Sequence, residues 1–157
     1  MRSVSPKKMV ELIVKSLPLI YATVLRIATI KKDEKIVVFG AMSGQYYGDN
    51  SKYVFEYFLE NHSNYKCFWI TSNTKVVYNL RKHNIPVLQS NTFKCLYYIY
   101  KAKWGLFTNS LADFGLNKYT APRKIQLVNL RHGTSVKRVR YAMKKSDLTK
   151  KEINSRI

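Results

Sequence analysis

Short apolar runs alternate with amphipathic stretches along most of the chain after residue 32. The apolar runs are rich in β-branched and aromatic residues and end at loop-forming positions, which is typical of buried strands. An α/β fold is therefore predicted, with a mostly parallel sheet and flanking helices, because strands and helices alternate with short connections. The predicted strands are 35–39, 67–71, 86–89, 104–109 and 124–130. Three helices are predicted: the first starts at residue 49, 50 or 51, the second covers about 75–82, and the third covers 93–103.

The helix after the first predicted strand has its own start signal and its own apolar face. We expect Asp49, Asn50 or Ser51 to cap it, because short polar side chains accept hydrogen bonds from the free N–H groups of a first turn. Tyrosines and apolar residues at helical spacing are expected to form its buried face, namely Tyr53, Val54, Tyr57 and Phe58.

The apolar run at residues 9–30, MVELIVKSLPLIYATVLRIATI, is interrupted by Glu11, Lys15, Pro18 and Arg26. A spanning helix needs about 20 largely uncharged residues, so these charges disfavour a transmembrane span. A helix lying on the membrane surface is the favoured interpretation, ahead of a helix packed on the domain and of a span or secretory signal. The predicted organisation is a basic amphipathic segment at 1–32, one domain at 33–140 and a basic helical tail at 141–157.

The chain is strongly basic, with 28 Lys and Arg against 9 Asp and Glu and a net charge of +19. This charge favours a polyanionic partner: nucleic acid, an anionic lipid surface or a phosphate-rich substrate. Nucleic acid is the least favoured, because no RNA-binding or helix-turn-helix motif accompanies the 12 tyrosines. Cys67 and Cys95 lie in apolar segments and predict buried thiols without a disulfide, and no metal-binding spacing is found.

Ligands of parallel α/β sheets bind beyond the carboxyl ends of the strands, where the loop at 131–135 (RHGTS) places His132 between a strand and a helix. A neutral imidazole there can accept a proton from an attacking hydroxyl. The following helix N-terminus favours a phosphate, and Lys137 and Arg138 add positive charge. On spacing alone, a histidine that only holds a turn is the favoured interpretation, because histidines are common in loops at strand ends.

The loop at 40–50 (GAMSGQYYGDN) follows the first strand and has three glycines at intervals of four. This spacing matches neither the dinucleotide-binding GxGxxG fingerprint nor a P-loop. On spacing alone a structural role is favoured, with Asp49 and Asn50 forming only a turn and a helix cap. The alternative is a loop that admits a hydroxylated or phosphorylated chain.

Three segments in this order, GQYYGDNSKYVFEYFLEN, AKWGLFTNS and LRHGTSVKRV, resemble the amino-terminal domain of the CDP-glycerol:glycerophosphate glycerophosphotransferases, the teichoic-acid primases and polymerases. The resemblance covers roughly residues 35–140 and implies a Rossmann-like domain that forms the acceptor-binding, amino-terminal half of a GT-B architecture. Three positions depart from the family pattern. Ser51 and Ser135 replace prolines, and Arg131 replaces a tryptophan.

The same resemblance implies that His132 acts as base on an acceptor hydroxyl, which attacks a CDP-glycerol donor and releases CMP. The implied partners are this donor, a lipid-linked polyol-phosphate acceptor and an anionic membrane surface at the cytoplasmic face, with no cofactor. With the loop arguments above, the candidate substrate-binding residues are Gly44, Tyr47, Asp49, Asn50, Asn109, Ser110, Gly133, Thr134, Lys137 and Arg138.

The donor-binding half of that architecture has no counterpart in these 157 residues. We therefore expect a truncated or split piece of the enzyme that is catalytically silent alone, because phosphoryl transfer depends on holding both reactants in line. The competing hypothesis is a non-catalytic basic module that binds membrane surfaces or polyanions.

Overall fold

A computed structural model describes residues 14, 16–18, 20–25, 31–117 and 120–131. Within them the chain forms a five-stranded sheet in the order β3-β2-β1-β4-β5, with every neighbouring pair parallel. This arrangement confirms the predicted Rossmann-like α/β class. The strands are β1 Asp33–Phe39, β2 Lys66–Thr71, β3 Val87–Gln89, β4 Ala102–Phe107 and β5 Gln126–Asn129.

Helices connect the strands in the described part of the chain. Helix α1 (Asp49–Asn61) lies between β1 and β2, α2 (Thr74–Lys82) between β2 and β3, and α3 (Phe93–Lys101) between β3 and β4. Short 3-10 helices follow β1 at Met42–Gly44 and β4 at Leu111–Phe114.

The sheet separates two hydrophobic cores. Val37 and Phe39 of β1 face the core covered by α1 and α2, whereas Ile36 and Val38 face the core covered by α3. This division follows from the alternation of side chains along a strand. Large rings pack together in the first core, where the Phe55 centroid lies 5.2 Å from that of Phe39 and 5.7 Å from that of Trp69.

The two cysteines lie in different cores, Cys67 with α1 and α2 and Cys95 with α3. Both are free and buried, as predicted. Burial raises the pKa of Cys67 to about 11 and that of Cys95 to about 12, because a thiolate loses its hydration there. Both thiols therefore stay protonated and act as small apolar groups at neutral pH.

The strand order reverses at β1, which pairs with both β2 and β4. Val37 lies opposite Cys67 on one side and Trp104 on the other. The crevice beyond the carboxyl ends of β1 and β4 is therefore the topological switch point, where sheets of this kind bind ligands.

Helix α1 differs from its prediction in both its cap and its buried face. Gly48 is the N-cap and has no side-chain hydrogen bond, while the Asp49 carboxylate accepts from the adjacent N–H of Asn50 at 2.9 Å. The predicted face was wrong for Tyr53 and Tyr57, which are 68% and 55% exposed. Phe55 is fully buried in their place, because its ring fits between Phe39 and Trp69 whereas a tyrosine hydroxyl keeps its hydration at the surface. The other predicted members of the face, Val54 and Phe58, do pack partly buried against this core.

The boundary between α3 and β4 lies two residues earlier than predicted. Helix α3 ends at Lys101, and Ala102 is already extended and pairs with Asp33 of β1. The backbone of Ala102 thus ends the helix and begins the strand, so the predicted helix limit at residue 103 was two residues too long.

The described residues 14, 16–18 and 20–25 are helical and are here called the N-terminal helical segment. Ala22 and Leu25 are buried in the core beneath α3, and the ring of Tyr21 packs edge-on against Phe93 with centroids 5.0 Å apart. Further along, the Lys32 ammonium donates to the Tyr100 carbonyl oxygen at 2.6 Å. One side of the segment is therefore packed on the domain.

The other side of the same segment presents apolar side chains to solvent. Val14, Leu17, Ile20 and Val24 are each between 42% and 57% exposed. No helix among the described residues combines the length and the apolar character that crossing a bilayer requires.

Candidate functional site at the carboxyl edge of the sheet

The glycine loop, residues 40–48, leaves β1 through a left-handed turn. Met42, Ser43 and Gly44 have φ values of 48°, 54° and 73°. Such values cost a non-glycine residue on the order of 1–3 kcal/mol, so contacts elsewhere must hold Met42 and Ser43 in place. Gly40 is needed for a different reason, since a Cβ atom there would lie 2.6 Å from the Asp113 carbonyl oxygen.

The end of β2 holds one side of the glycine loop. The Gly44 carbonyl oxygen accepts hydrogen bonds from Thr71 Oγ1 at 2.7 Å and from the Ser72 N–H at 2.8 Å. Gln45 Nε2 donates to Ser72 Oγ at 2.6 Å. These hydrogen bonds join the glycine loop to the end of β2 and the residue that follows it.

Asp113 holds the other side of the glycine loop. Its side chain is fully buried, and Oδ1 accepts a hydrogen bond from the Ser43 N–H at 2.7 Å. Oδ2 accepts from the N–H groups of Thr108 and Asn109, at 3.1 and 2.8 Å, in the loop that follows β4. These bonds offset the cost of burying the carboxylate. Asp113 consequently joins the loops that follow β1 and β4, on the two sides of the switch point.

Asn50 connects the start of α1 to the segment that follows β5. Its Nδ2 group donates to the carbonyl oxygens of Leu130 and Arg131, both at 3.0 Å. Arg131 has a left-handed φ of 56°, and its N–H donates to Asn129 Oδ1 at 2.8 Å. The backbone immediately before position 132 is therefore fixed from two directions.

The family described as CDP-Glycerol:Poly(glycerophosphate) glycerophosphotransferase matches residues 20–157. The chain belongs to this family. Its relatives include the teichoic acid poly(glycerol phosphate) polymerases of Bacillus spizizenii, 30% identical over 124 residues, and of Bacillus subtilis, 28% identical over 105 residues. The matches cover 76% and 67% of this chain but only 30% and 13% of the two polymerases, so the chain spans less than a third of the length of these relatives.

Solved structures of the wall teichoic acid polymerase TagF share the fold. One superposes with a TM-score of 0.63 at 19% identity, covering 86% of this chain and 32% of TagF. A TagF variant soaked with CDPG superposes with a TM-score of 0.60 at 18% identity, covering 97% of this chain and 39% of that one. The chain thus shares the fold of the part of TagF that it matches.

Five residues singled out from the sequence lie at the carboxyl edge, in the connections after β1 and β4 or in the first turn of α1. Asn50 reaches the end of β5, and Asp49 has a left-handed φ of 63° with its carboxylate turned back onto the Asn50 N–H. The Gly44 carbonyl oxygen accepts the hydrogen bond from Thr71 Oγ1. Asn109 is exposed, and its N–H donates to the Asp113 carboxylate. Ser110 Oγ accepts from the Ala112 N–H at 3.3 Å and so caps the 3-10 helix after β4.

Tyr47 is partly buried and packs against the core, so it is more than a surface residue of the glycine loop. Its ring lies edge-on to Trp69 with centroids 4.7 Å apart, and its hydroxyl donates to Glu56 Oε1 at 3.0 Å. Desolvation, together with the hydrogen bond to Glu56, raises the pKa of Tyr47 well above its usual range. The phenol therefore stays protonated and anchors the glycine loop to α1.

The remaining predicted site residues, His132, Gly133, Thr134, Lys137 and Arg138, lie outside the described residues. The predicted domain limit at 140 and the tail at 141–157 likewise lie outside the described residues. Among the described residues, no group of three or more His, Cys, Asp or Glu side chains is placed to hold a metal ion.

Sequence reasoning missed Asp113, the residue that joins the loops of the first and second family motifs. One signal for it exists, since Asp113 is the only acidic residue between Glu60 and Asp147 in a chain of charge +19. A lone carboxylate in a basic stretch is a candidate for a buried, specifically paired group. The same reasoning missed Thr71 and Ser72, for which no comparable signal stands in the sequence.

Proposed function

We propose that this chain is the acceptor-side portion of a teichoic-acid glycerophosphotransferase and pairs with a donor-binding domain in a GT-B enzyme. The complete enzyme would transfer glycerol phosphate, or a related polyol phosphate, from a CDP-activated donor to a membrane-linked acceptor. Membership of the family supports this proposal, as does the description of that family by CDP-glycerol.

His132 is the proposed base. Its imidazole takes the proton of the acceptor hydroxyl as the hydroxyl oxygen attacks the glycerol-bearing phosphorus of the donor. A new phosphorus–oxygen bond forms, the bond to the CMP phosphate breaks, and CMP leaves. An unperturbed imidazole pKa of about 6.5 suits this task at neutral pH. Lys137 and Arg138, with Thr134 at the start of the following helix, would neutralise phosphate charge.

The observation that carries the proposal is the pair of hydrogen bonds from Asn50 to Leu130 and Arg131. Asn50 belongs to the first family motif, and Arg131 directly precedes the histidine of the third. Asp113 adds the second motif by binding the N–H of Asn109. Segments far apart in sequence are thereby joined at one edge of the sheet, which is what a shared acceptor site requires.

A hybrid enzyme tests the chemistry. In this hybrid, residues 20–157 replace the matching segment of the Bacillus spizizenii polymerase, and release of CMP from CDP-glycerol is measured with a membrane-linked acceptor. We expect activity in the hybrid, loss of about 100-fold or more in His132→Ala, and little change in His83→Ala, an exposed histidine at the end of α2. Equal activity in the His132→Ala hybrid would refute the role of base.

The 157-residue chain by itself is expected to release no CMP, because half of a two-domain cleft holds only one reactant. CMP release by the purified chain above the level of its His132→Ala variant would contradict this. The control for intact folding is the far-ultraviolet circular dichroism of both proteins.

We further propose a peripheral location at the cytoplasmic face of the cell membrane. The exposed apolar stripe of the N-terminal helical segment supports it, because a lipid surface would cover Leu17, Ile20 and Val24. Helix α3 continues this surface, since Phe93 contacts Tyr21 and is itself 52% exposed, and Tyr97 follows one turn later. Two basic residues, Lys94 and Lys101, lie near Phe93 and Tyr97 on the same helix.

The same apolar and basic surface favours the second candidate, a membrane-binding module without chemistry. The two candidates differ in the hybrid enzyme: a module needs only the lipid-facing residues, whereas a transferase also needs His132. If the hybrid is active and its activity depends on His132, membrane binding alone does not explain the function of this chain.

A further inference from the structure

A groove runs along the outer edge of the sheet, between α2 and β3. Its volume is about 550 Å³. The α2 residues that line it recur at intervals of three and four, so they form one face of the helix. The lining residues are Thr74, Val77, Tyr78, Arg81, Lys82 and Gln89.

The charge around this groove is positive. Residues 61–112 contain seven Lys and Arg and no Asp or Glu. Arg81 and Lys82 are exposed, and within the described chain neither forms an ion pair. Arg81 and Lys82 lie in the last turn of α2, where positive charge is also favourable to the helix dipole. The dipole alone does not explain why these side chains line a groove with polar residues. An anionic ligand lying in the groove would meet two unpaired cations.

The groove begins at the candidate site's edge of the sheet. Thr74 starts α2 and Gln89 ends β3, so both lie at the carboxyl edge, whereas Arg81 and Lys82 lie at the opposite end of α2. A nine-residue helix is about 13 Å long, which sets the length of the groove. Asn73, the N-cap of α2, donates from Nδ2 to the Gln45 carbonyl oxygen at 3.1 Å and so joins this end to the glycine loop.

The lining residues fit a chain that carries both phosphates and hydroxyls. Guanidinium and ammonium groups bind phosphate oxygens, the guanidinium in a bidentate manner. Thr74, Tyr78 and Gln89 offer hydroxyl and amide groups to polyol hydroxyls. Val77, 5% exposed, is the apolar floor. A single exposed tyrosine is a poor stacking platform for successive bases, which disfavours a nucleic acid.

We infer that the α2–β3 groove binds a segment of a polyol-phosphate chain. This inference rests on the proposed function and adds to it a second contact with the acceptor, remote from the reacting end. Phosphates lie at Arg81 and Lys82, and the chain leads from there to the carboxyl edge at Thr74 and Gln89. Such a contact holds a growing polymer while its end is extended.

The test measures binding of a fluorescently labelled synthetic glycerol-phosphate oligomer to the purified 157-residue chain by fluorescence anisotropy. The variant is Arg81→Gln with Lys82→Gln, and the matched control is Lys31→Gln with Lys35→Gln, which removes the same charge from exposed positions elsewhere. Tyr78→Ala is a second groove variant that is safe for folding, since Tyr78 is 69% exposed. A single-stranded oligonucleotide of equal charge is the competing probe.

We expect the groove variant to bind the oligomer about tenfold or more weakly than the unchanged chain, and the control to change affinity about twofold or less. Tyr78→Ala should weaken binding in the same direction. The inference is overturned if both double variants lose affinity equally, if the unchanged chain does not bind the oligomer, or if the oligonucleotide binds as tightly and with the same dependence on Arg81 and Lys82. A silent hybrid enzyme would count against the proposed chemistry and leave groove binding standing, so the two failures are distinguishable.

Discussion

The Asp113 carboxylate accepts a hydrogen bond from the Ser43 N–H at 2.7 Å across 70 positions of sequence. Ser43 is held in a left-handed conformation that serine rarely adopts, and Asp113 is fully buried. The buried carboxylate and the strained turn therefore stabilise each other. Because the same carboxylate also binds the loop after β4, a change at Asp113 reaches both sides of the candidate site.

Replacing Asp113 by Asn should destabilise the fold by about 2 kcal/mol or more. The amide keeps the size of the carboxylate but places an N–H donor against backbone N–H groups, which leaves buried donors without acceptors. Urea unfolding followed by circular dichroism measures the loss. Asp33→Asn is the matched control, since Asp33 is only half-buried and binds the nearby Lys35 N–H, and we expect it to cost about 0.5 kcal/mol or less. Equal losses in the two variants would contradict the role given to Asp113.

Strands β1 and β2 were predictable because their buried positions are mostly β-branched or aromatic and both faces of the sheet are covered there. Val37 and Val38 illustrate this, since each lies in a different core. The buried face of α1 was not predictable, because the sequence pattern allows either Phe55 or its neighbouring tyrosines to face the core. The contacts of Phe55 with Phe39 and Trp69 decide between them. Tertiary contacts likewise decide which side of the N-terminal helical segment packs on the domain.

The family motifs predicted Asn50 and Asn109 as site residues, and the structure places both at the carboxyl edge. What the motifs could not supply is how they are connected. The contacts that join them are made by Asp113 and by backbone carbonyl groups of residues 130 and 131, at sequence separations of 70 to 81. Contacts over such separations leave no local pattern in the sequence. The role of His132 stays a prediction, supported by the fixed backbone of Leu130 and Arg131.

Replacing Asn50 by Asp should lower CMP release by the hybrid enzyme about tenfold to 100-fold with little loss of stability. The change removes the Nδ2 donor and sets a carboxylate against two carbonyl oxygens, so the backbone before His132 loses its fixed position. Asn61→Asp is the matched control, because Asn61 Nδ2 donates to the Tyr57 carbonyl oxygen at 3.0 Å at the other end of the same helix. If both variants retained full activity, the bridge from Asn50 would have no part in the reaction.

Lys32 should make stability rise between about pH 8 and pH 9. Burial lowers the pKa of Lys32 to about 8 from its ordinary value of 10.5. Between these values the unfolded chain binds more protons than the folded chain, so folding becomes more favourable as the pH increases. Above about pH 9 the raised pKa values of Cys67 and Cys95 act in the opposite direction, because the unfolded thiols then lose protons first.

The measurement compares urea midpoints at pH 7.5 and pH 9 for the unchanged chain and for Lys32→Met. The stability of the unchanged chain relative to Lys32→Met should increase over this interval, since methionine does not titrate. Lys31→Met removes the same charge from the exposed neighbouring position and serves as the control. A difference between the unchanged chain and Lys32→Met that does not vary with pH would show that Lys32 is not desolvated in the folded protein.

Removing apolar side chains from the N-terminal helical segment should weaken binding to anionic vesicles about tenfold. The variant is Leu17→Ser with Val24→Ser, and both side chains are exposed, so the fold loses little. Co-sedimentation with vesicles that contain phosphatidylglycerol measures the binding, which should also fall as salt screens the net charge of +19.

The matched control for vesicle binding is Leu127→Ser with Val128→Ser, which removes comparable exposed apolar groups from β5. The control should bind vesicles like the unchanged chain, because β5 lies at the far edge of the sheet and contributes nothing to the surface formed with α3. Equal binding by all three proteins, with the same salt dependence, would mean that charge alone attracts the chain to lipid. In that case the exposed apolar stripe is not a membrane contact, and the peripheral location would rest on electrostatics only.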